Sequence, residues 1–268
     1  MINLPRLDDI LKITRFFDWY HYLIICSIFF YKSYNFLSVF YIFSLSALLS
    51  GIYMLNDFYD IKIDIKKTTI SKRVKIIRKK QRKKLGMFVV FILLLSLILS
   101  YKINFNVFIF FSIIIIINYL YSSHYFFFKS IPIVDLITIF FIYTFVILTS
   151  FEFTSFEFIL ISSFFGLLAS SAHILQSIID MKIDKKEGLS TIAVFLGRKK
   201  SIKLFQISIL FLISYFSIIS FYFINKLLLP TIFIYFILFF VYKKGPKKTW
   251  KIMKLISIPF FIALFLFI

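Results

Sequence analysis

Cysteine and acidic residues are both scarce in this sequence of 268 residues. Cys26 is the one cysteine, so neither an intramolecular disulfide nor a metal site built from cysteines can form. Only 16% of the residues are charged, and twelve acidic residues stand against 32 lysines and arginines. Hydrophobic residues make up 61% of the chain, well above the share in a soluble domain. This composition excludes an ordinary water-soluble protein.

Long apolar blocks replace the alternation of apolar and polar residues that a transmembrane β-strand requires. Several blocks reach or approach the roughly 17–25 residues that a helix needs to cross a bilayer, where backbone groups must bond internally. We therefore predict an all-α polytopic membrane protein, a single domain over residues 1–268 with nine helices. They are predicted at Phe16–Tyr31, Phe36–Leu55, Leu85–Tyr101, Phe105–Tyr121, Ile131–Phe151, Phe158–Ile179, Leu204–Ile224, Leu227–Tyr242 and Ile252–Ile268.

The basic residues predict the orientation of these helices. All but three of the 32 fall on one side of the membrane, the exceptions being Lys32, Lys102 and Lys226. The positive-inside rule assigns the basic side to the cytoplasm, so we expect a cytoplasmic N-terminus in the plasma membrane. The formal net charge is +20, and the basic residues that cause it lie between the apolar blocks, where they can contact phospholipid. We therefore expect no nucleic-acid partner. Asp8 and Asp9 argue against a cleavable signal peptide.

Two clusters hold five of the twelve acidic residues, each at the end of a predicted helix. The first cluster runs from Asn56 to Asp64 in the pattern N-D-x-x-D-x-x-x-D, and the second holds Asp180 and Asp184. If the helices continue through the clusters, Asn56, Asp60 and Asp64 share one face, as do the two aspartates of the second cluster. Each cluster would then form a stripe of oxygen ligands at the cytoplasmic end of its helix.

Like charges four residues apart, at a helix C-terminus, repel each other and the helix dipole, so a cation is expected to compensate them. Mg²⁺ prefers oxygen ligands and is commonly shared between one or two carboxylates and a substrate phosphate. The two stripes therefore predict a site that holds a diphosphate through Mg²⁺. Solvated helix ends neutralised by nearby lysines are the alternative. The related spacing of the two clusters, in a chain with so few acids, favours the metal site.

The two motifs resemble those of the UbiA-type intramembrane prenyltransferase superfamily. The resemblance implies a nine-helix bundle with a lateral opening to lipid, in which Mg²⁺ and the aspartate motifs bind an isoprenyl diphosphate. It also implies that the ionised allylic group alkylates an electron-rich lipophilic acceptor. The matching elements are Asn56-Asp57-x-x-Asp60-x-x-x-Asp64, Asp180-x-x-x-Asp184-x-x-x-Gly188-x-x-Thr191, Arg15-x-x-x-Trp19 and the helix count.

Carried over to this chain, the resemblance assigns one metal ion and its diphosphate to Asn56, Asp60 and Asp64. It assigns the second metal ion to Asp180 and Asp184. The four aspartates of this set are the expected catalytic residues, since they hold the cations that assist loss of the diphosphate. The neighbouring Asp at position 57 faces elsewhere by helical geometry and is a weaker candidate.

Basic residues are expected to assist the departing diphosphate. Lys129 is the one basic residue of its connection and is assigned to this role as a point charge, the alternative being a lysine that extends to the lipid–water interface. Many relatives carry an arginine where this chain has Phe127, so Lys72 and Arg73 of the basic connection are expected to share the task. Tyr121 belongs to the same predicted diphosphate site.

The acceptor is less closely specified by the sequence. The pattern His173-x-x-x-Ser177-x-x-Asp180 is more similar to members that act on carotenoid-like lipids than to those that make quinone precursors. Transfer to geranylgeranylglyceryl phosphate or to a quinone precursor is the alternative. On an apolar helix, His173 is more simply a packing residue than a base, and Asp135 is expected to be a helix-end or loop residue.

Two other functions use related features. Membrane alcohol-phosphatidyl transfer also depends on two aspartate motifs, but it expects Asp-Gly and Ala-Arg elements that residues 57–64 lack. A transporter would place its polar site near the bilayer midplane on broken helices, whereas the acids here gather at one interface. Both are less favoured than Mg²⁺-assisted prenyl transfer.

Overall fold

The computed structural model describes residues 14–34, 37–64, 82–151, 156–223 and 249, which contain helices and turns and no strand. The all-α prediction is confirmed for these residues. The predicted eighth and ninth helices, Leu227–Tyr242 and Ile252–Ile268, lie outside them. The helices are α1 (Phe16–Tyr34), α2 (Ser38–Asp64), α3 (Arg82–Ile103), α4 (Phe105–Ser122), α5 (Pro132–Leu148), α6 (Phe156–Lys186) and α7 (Ile192–Phe223), with a 3₁₀ turn at Phe128–Ser130.

Within the part of the chain that the structure describes, four helical segments are long and apolar enough to cross a membrane, and α5 is a shorter apolar helix. Such segments satisfy their backbone hydrogen bonds internally, which is the condition for stability in lipid. The chain is therefore a membrane protein. The four segments are Ser38–Asp60, Lys83–Ile103, Phe105–Ser122 and Phe156–Lys186.

The chain divides into two compact units, Met1–Phe127 and Phe128–Ile268. In the first unit, α2 packs against α1, α3 and α4, and α3 packs against α4. In the second unit, α6 packs against both α5 and α7. Each acidic cluster therefore lies on a helix that packs against at least two other helices of its own unit, and those neighbours hold it in place.

Two helices continue beyond the apolar blocks that predicted them. The helix α2 runs to Asp64 and α6 to Lys186, whereas the blocks end at Leu55 and Ile179. The predicted start of the seventh helix at Leu204 is wrong, because α7 begins at Ile192. Its first turn is apolar but is separated by a kink at Gly197, where φ is 75°, from the basic residues Arg198, Lys199 and Lys200. Hydropathy therefore detected only the continuous apolar block that follows them.

A glycine allows α5 and α6 to approach closely, as small residues often do between membrane helices. A Cβ atom on Gly166 would lie 2.6 Å from the Phe140 carbonyl oxygen and would also overlap the Thr144 hydroxyl. We expect Gly166→Ala to destabilise the protein by about 1–3 kcal/mol, because a backbone carbonyl cannot move away without shifting α5. Thermal unfolding of the detergent-purified variant measures the loss.

Gly51→Ala is the matched control for this prediction. Its added Cβ would overlap the Cγ and Cδ2 atoms of Leu93, which belong to a side chain that can rotate and not to the backbone. We therefore expect a smaller decrease in melting temperature than for Gly166→Ala. Equal decreases, or the reverse order, would contradict the proposed role of Gly166.

Candidate functional site

The first acidic cluster lies on the last turns of α2, which is helical through Asp64. Asn56 and Asp60 are therefore one turn apart on one face, and both are half-buried. The Asn56 Oδ1 atom accepts a hydrogen bond from the Ser122 hydroxyl at the end of α4, at 3.3 Å. This contact fixes the amide beside the end of α4. For Asp64 only the backbone is described, so its side chain lies outside the described part of the structure.

Asp57 has a different partner from its neighbours in the cluster. Its Oδ1 atom lies 3.2 Å from Arg15 Nη1, and Arg15 Nε lies 2.9 Å from Asp18 Oδ2. The guanidinium also lies over the Tyr53 ring, 4.9 Å from its centroid. The carboxylate of Asp57 is thus occupied by a cation from the start of α1.

The segment before α1 is itself held in a defined conformation. Trp19 is buried, and its indole N–H donates to the Thr14 carbonyl at 2.7 Å. Burial acts to lower the pKa of the Arg15 guanidinium, but the charges of Asp57 and Asp18 hold that pKa above its ordinary value. Arg15 therefore stays charged, and the Arg15-x-x-x-Trp19 element joins α1 to α2.

Aromatic rings surround the end of α2 on the side of α4. The Tyr59 ring is edge-on to the rings of Tyr119 and His124, at centroid distances of 6.2 Å and 5.7 Å. Tyr121, on the last turn of α4, is half-buried. The rings pack the end of α2 against the end of α4, close to the contact between Asn56 and Ser122.

The second acidic cluster lies on the last turns of α6, which is helical through Lys186. Asp180 is half-buried, and its Oδ2 atom accepts a hydrogen bond from Gln176 Nε2 at 2.6 Å. Asp184 is only 8% exposed, and its Oδ2 atom accepts from the Thr191 hydroxyl at 3.2 Å. Each carboxylate thus accepts a hydrogen bond from a neutral donor, and this bond orients it.

Gly188 ends α6 and turns the chain back toward it. Its φ is +73°, the Gly188 N–H donates to the Lys185 carbonyl at 3.4 Å, and the Leu189 N–H donates to the Asp184 carbonyl at 2.9 Å. These two bonds form a Schellman cap, which favours glycine at this position. The cap returns the chain so that Thr191 reaches the Asp184 carboxylate.

We expect Gly188→Ala to destabilise the protein by about 1 kcal/mol, because an alanine side chain disfavours positive φ. No atom lies within 4 Å of the added Cβ, so steric contact contributes nothing. Gly188→Asn should cost less, since asparagine tolerates this conformation. Thermal unfolding compares the two variants, and equal losses would show that backbone conformation is not the cause.

Lys129 lies in the 3₁₀ turn and is 9% exposed, which argues against a lysine that extends to the lipid–water interface. The next residue, Ser130, accepts a hydrogen bond through its hydroxyl from the Ser190 N–H at 3.4 Å. Thr191, which follows, donates to Asp184. The structure therefore joins the lysine turn to the second acidic cluster within one unit.

Sequence reasoning missed a buried pair in the second unit. Asp135, in the first turn of α5, is 0% exposed, and both of its carboxylate oxygens lie 2.9 Å from Nε2 of His173 on α6. Asp135 is therefore a helix-end residue, as predicted, but a buried and paired one. The two residues are 38 positions apart, and no short motif in the sequence links them.

The donors of the two clusters suit Mg²⁺, because they are carboxylate and amide oxygens. Among the described residues, no group of three or more His, Cys, Asp or Glu side chains could enclose a metal ion. The predicted diphosphate residues Lys72 and Arg73 lie outside the described residues.

Comparisons with known proteins identify the family and the fold of this chain. A model of the UbiA prenyltransferase family matches residues 22–265. A UbiA homologue from Archaeoglobus fulgidus bound to GPP and Mg²⁺ is 18% identical, with a TM-score of 0.77 over 95% of this chain and 97% of that chain. The structure of a homologue from the same organism bound to DMAPP and Mg²⁺ gives the same values.

A further structure, from work on digeranylgeranylglyceryl phosphate synthase in membranes, is 21% identical, with a TM-score of 0.70 over 97% of each chain. No curated protein sequence matches this chain. At such low identities the structural likeness establishes the fold, while the match to the family model covers most of the sequence.

Proposed function

Since the chain belongs to the UbiA prenyltransferase family, we propose that it transfers an isoprenyl group from an allylic isoprenyl diphosphate to a lipophilic acceptor in the membrane. One observation carries the proposal. Both α2 and α6 remain helical past their apolar parts, so oxygen side chains recur one turn apart at the end of each helix. A diphosphate bound with divalent cations requires such donors.

In this proposal, Asn56, Asp60 and Asp64 hold one Mg²⁺, and Asp180 and Asp184 hold another. Bound Mg²⁺ supplies positive charge that offsets the negative charge developing on the departing diphosphate. The protein's own task is to hold the carboxylates in position before the donor binds. The hydrogen bonds to Asn56, Asp180 and Asp184 support this role, because they restrict the orientation of each side chain.

Lys129 is proposed to bind the diphosphate through its ammonium group. Its burial supports this role, because a charge shielded from water interacts more strongly with a neighbouring anion. Lys72, Arg73 and Tyr121 complete the proposed diphosphate site. The half-buried position of Tyr121 at the end of α4 supports its inclusion.

The proposed acceptor is a carotenoid-like lipid, with geranylgeranylglyceryl phosphate and quinone precursors as alternatives. The resemblance of the segment around His173 and Ser177 to carotenoid-modifying relatives supports this choice. We further propose nine transmembrane helices, a cytoplasmic N-terminus and an active site on the cytoplasmic side of the plasma membrane. The distribution of the 32 basic residues supports this orientation.

Diphosphate release by the purified protein tests the proposed function. The protein in lipid vesicles is supplied with geranyl, farnesyl or geranylgeranyl diphosphate, with and without Mg²⁺. Lycopene, geranylgeranylglyceryl phosphate and 4-hydroxybenzoate serve as acceptors. We expect release that depends on Mg²⁺ and a prenylated product with one acceptor class. A protein that neither binds these donors with Mg²⁺ nor releases diphosphate would contradict the proposal and favour a transporter.

A further inference from the structure

The pair formed by Asp135 and His173 has no task in the diphosphate chemistry. The carboxylate is fully buried and accepts from the imidazole Nε2–H, with both oxygens at 2.9 Å. A buried ionisable pair in a membrane helix is costly and is by default a functional candidate. Because Nε2 donates to the carboxylate, the neutral ring carries its lone pair on Nδ1. The His173 side chain is 23% exposed, so the ring is not sealed in the core.

His173 lies on the same helix as the second acidic cluster, seven residues before Asp180. Seven residues are two helical turns, so His173 and Asp180 share a face and lie about 10 Å apart along the helix axis. The histidine is on the side of the cluster that runs into the apolar part of α6. A donor whose diphosphate is held at the cluster would extend its hydrocarbon chain in that direction.

We propose that His173 takes the proton that the acceptor loses when it is prenylated, and that Asp135 positions the imidazole for this step. The inference rests on the proposed function and adds the base that this function requires. His173 would be a catalytic residue, because its Nδ1 atom contacts the acceptor. Asp135 would be a positioning residue that fixes the tautomer and stabilises the imidazolium, as a carboxylate does for histidine in hydrolytic triads.

The atoms balance in this step. The bond between C1 of the donor and the bridging oxygen breaks, and its electron pair leaves with the diphosphate. A π-electron pair or an oxygen lone pair of the acceptor forms the new bond to C1. The acceptor then loses one proton to Nδ1 of His173, and the electrons of the broken bond restore the neutral product. No oxidant or reductant takes part.

Two measurements on one isotope-labelled donor distinguish proton transfer to His173 from ionisation of the donor. Geranyl diphosphate with oxygen-18 in the bridging position exchanges its label with the non-bridging oxygens each time it ionises and recombines. Exchange therefore counts ionisation without requiring an acceptor. The amount of prenylated lycopene, geranylgeranylglyceryl phosphate or 4-hydroxybenzoate measures capture of the ionised prenyl group by an acceptor. If the wild-type protein prenylates none of these acceptors, the amount of prenyl alcohol measures capture of the prenyl group by water. The water molecule then loses its proton to His173 in the same way.

We expect His173→Gln and Asp135→Asn to keep the wild-type exchange rate with Mg²⁺. The ratio of captured product to exchange should fall by about a hundredfold in His173→Gln, the usual size of a general-base contribution. Ser170→Ala is the matched control. It removes a hydrogen bond between the same two helices, from the Ser170 hydroxyl to the Leu136 carbonyl at 3.2 Å, without touching the pair. Its ratio should equal that of wild type.

An unchanged ratio in His173→Gln overturns the inference. Loss of exchange in both His173→Gln and Asp135→Asn also overturns it, since the pair would then be needed for structure or donor binding. An equal fall of the ratio in Ser170→Ala leads to the same conclusion. If wild type shows no Mg²⁺-dependent exchange, the proposed function itself fails. That result is distinct from the others, in which exchange by wild type is normal.

Discussion

Replacing Asp184 by asparagine is expected to lower Mg²⁺-dependent prenyl transfer by at least about a hundredfold, as loss of a preorganised charged group at a reacting centre commonly does. Asp184 is 8% exposed, so water cannot easily supply the missing ligand and charge. The Thr191 hydroxyl can still donate to an asparagine oxygen, and the local fold should therefore survive. Initial rates of diphosphate release, measured across a range of Mg²⁺ concentrations, give the effect.

Thr191→Val is the matched control for Asp184→Asn. It removes the hydroxyl that orients the carboxylate but keeps the carboxylate and nearly the same side-chain volume. We expect a decrease of about tenfold or less, the size of a single neutral hydrogen bond. Activity of Asp184→Asn within threefold of wild type would show that the second cluster does not hold the metal.

Replacing Arg15 by glutamine should destabilise the protein by about 2–3 kcal/mol, because breaking a largely buried ion pair leaves a carboxylate without its cation. Asp57 is 14% exposed and Arg15 21% exposed, so solvent compensates the loss only in part. The pKa of Arg15 is raised on folding, so its stabilisation is fully present below the ordinary pKa of arginine and is lost only above it. The deficit should therefore be constant from neutral pH to about pH 10.

A double-mutant cycle isolates the contact between Arg15 and Asp57. The variant with Arg15→Gln and Asp57→Asn should be more stable than the sum of the single changes implies, with a coupling of about 1–2 kcal/mol. Asp18→Asn is the control, because that carboxylate is 35% exposed and its pairing with Arg15 should contribute less than about 1 kcal/mol. A coupling near zero would mean that Arg15 does not anchor α1 to α2.

The sequence allowed prediction of the first seven helices and of the helical faces of both acidic clusters, because these depend on local periodicity. Hydropathy detects the part of a helix that lipid surrounds, and so it ended α2 at Leu55 although the helix continues to Asp64. The polar turns beyond that point are stabilised by neighbours such as Ser122, which only the fold brings near.

Long-range contacts set the limit of sequence reasoning for the site. Asp135 and His173 are 38 residues apart and have no local signature in the sequence. Their pairing therefore becomes visible only in the packing of α5 on α6. The burial of Lys129 likewise depends on a 3₁₀ turn that is bonded to Ser190, 60 residues after Ser130. Gly188, by contrast, could have been predicted as a helix cap from the sequence, because it follows a charged helix end.

The lengths of α2 and α6 exceed the thickness of the hydrocarbon core of a membrane. Their 27 and 31 residues correspond to about 40 Å and 46 Å, whereas the hydrocarbon core of a bilayer is about 30 Å thick. If the apolar parts of both helices lie in the hydrocarbon, the excess lies at the ends that carry the acids, and these turns reach the headgroup layer. In the proposed function, the diphosphate head of the donor can then bind at these turns without entering the hydrocarbon core. The hydrocarbon chain of the donor stays in that core. If the clusters bind the donor as proposed, hydrophobic mismatch and the thickness of the bilayer set the depth at which each cluster meets it.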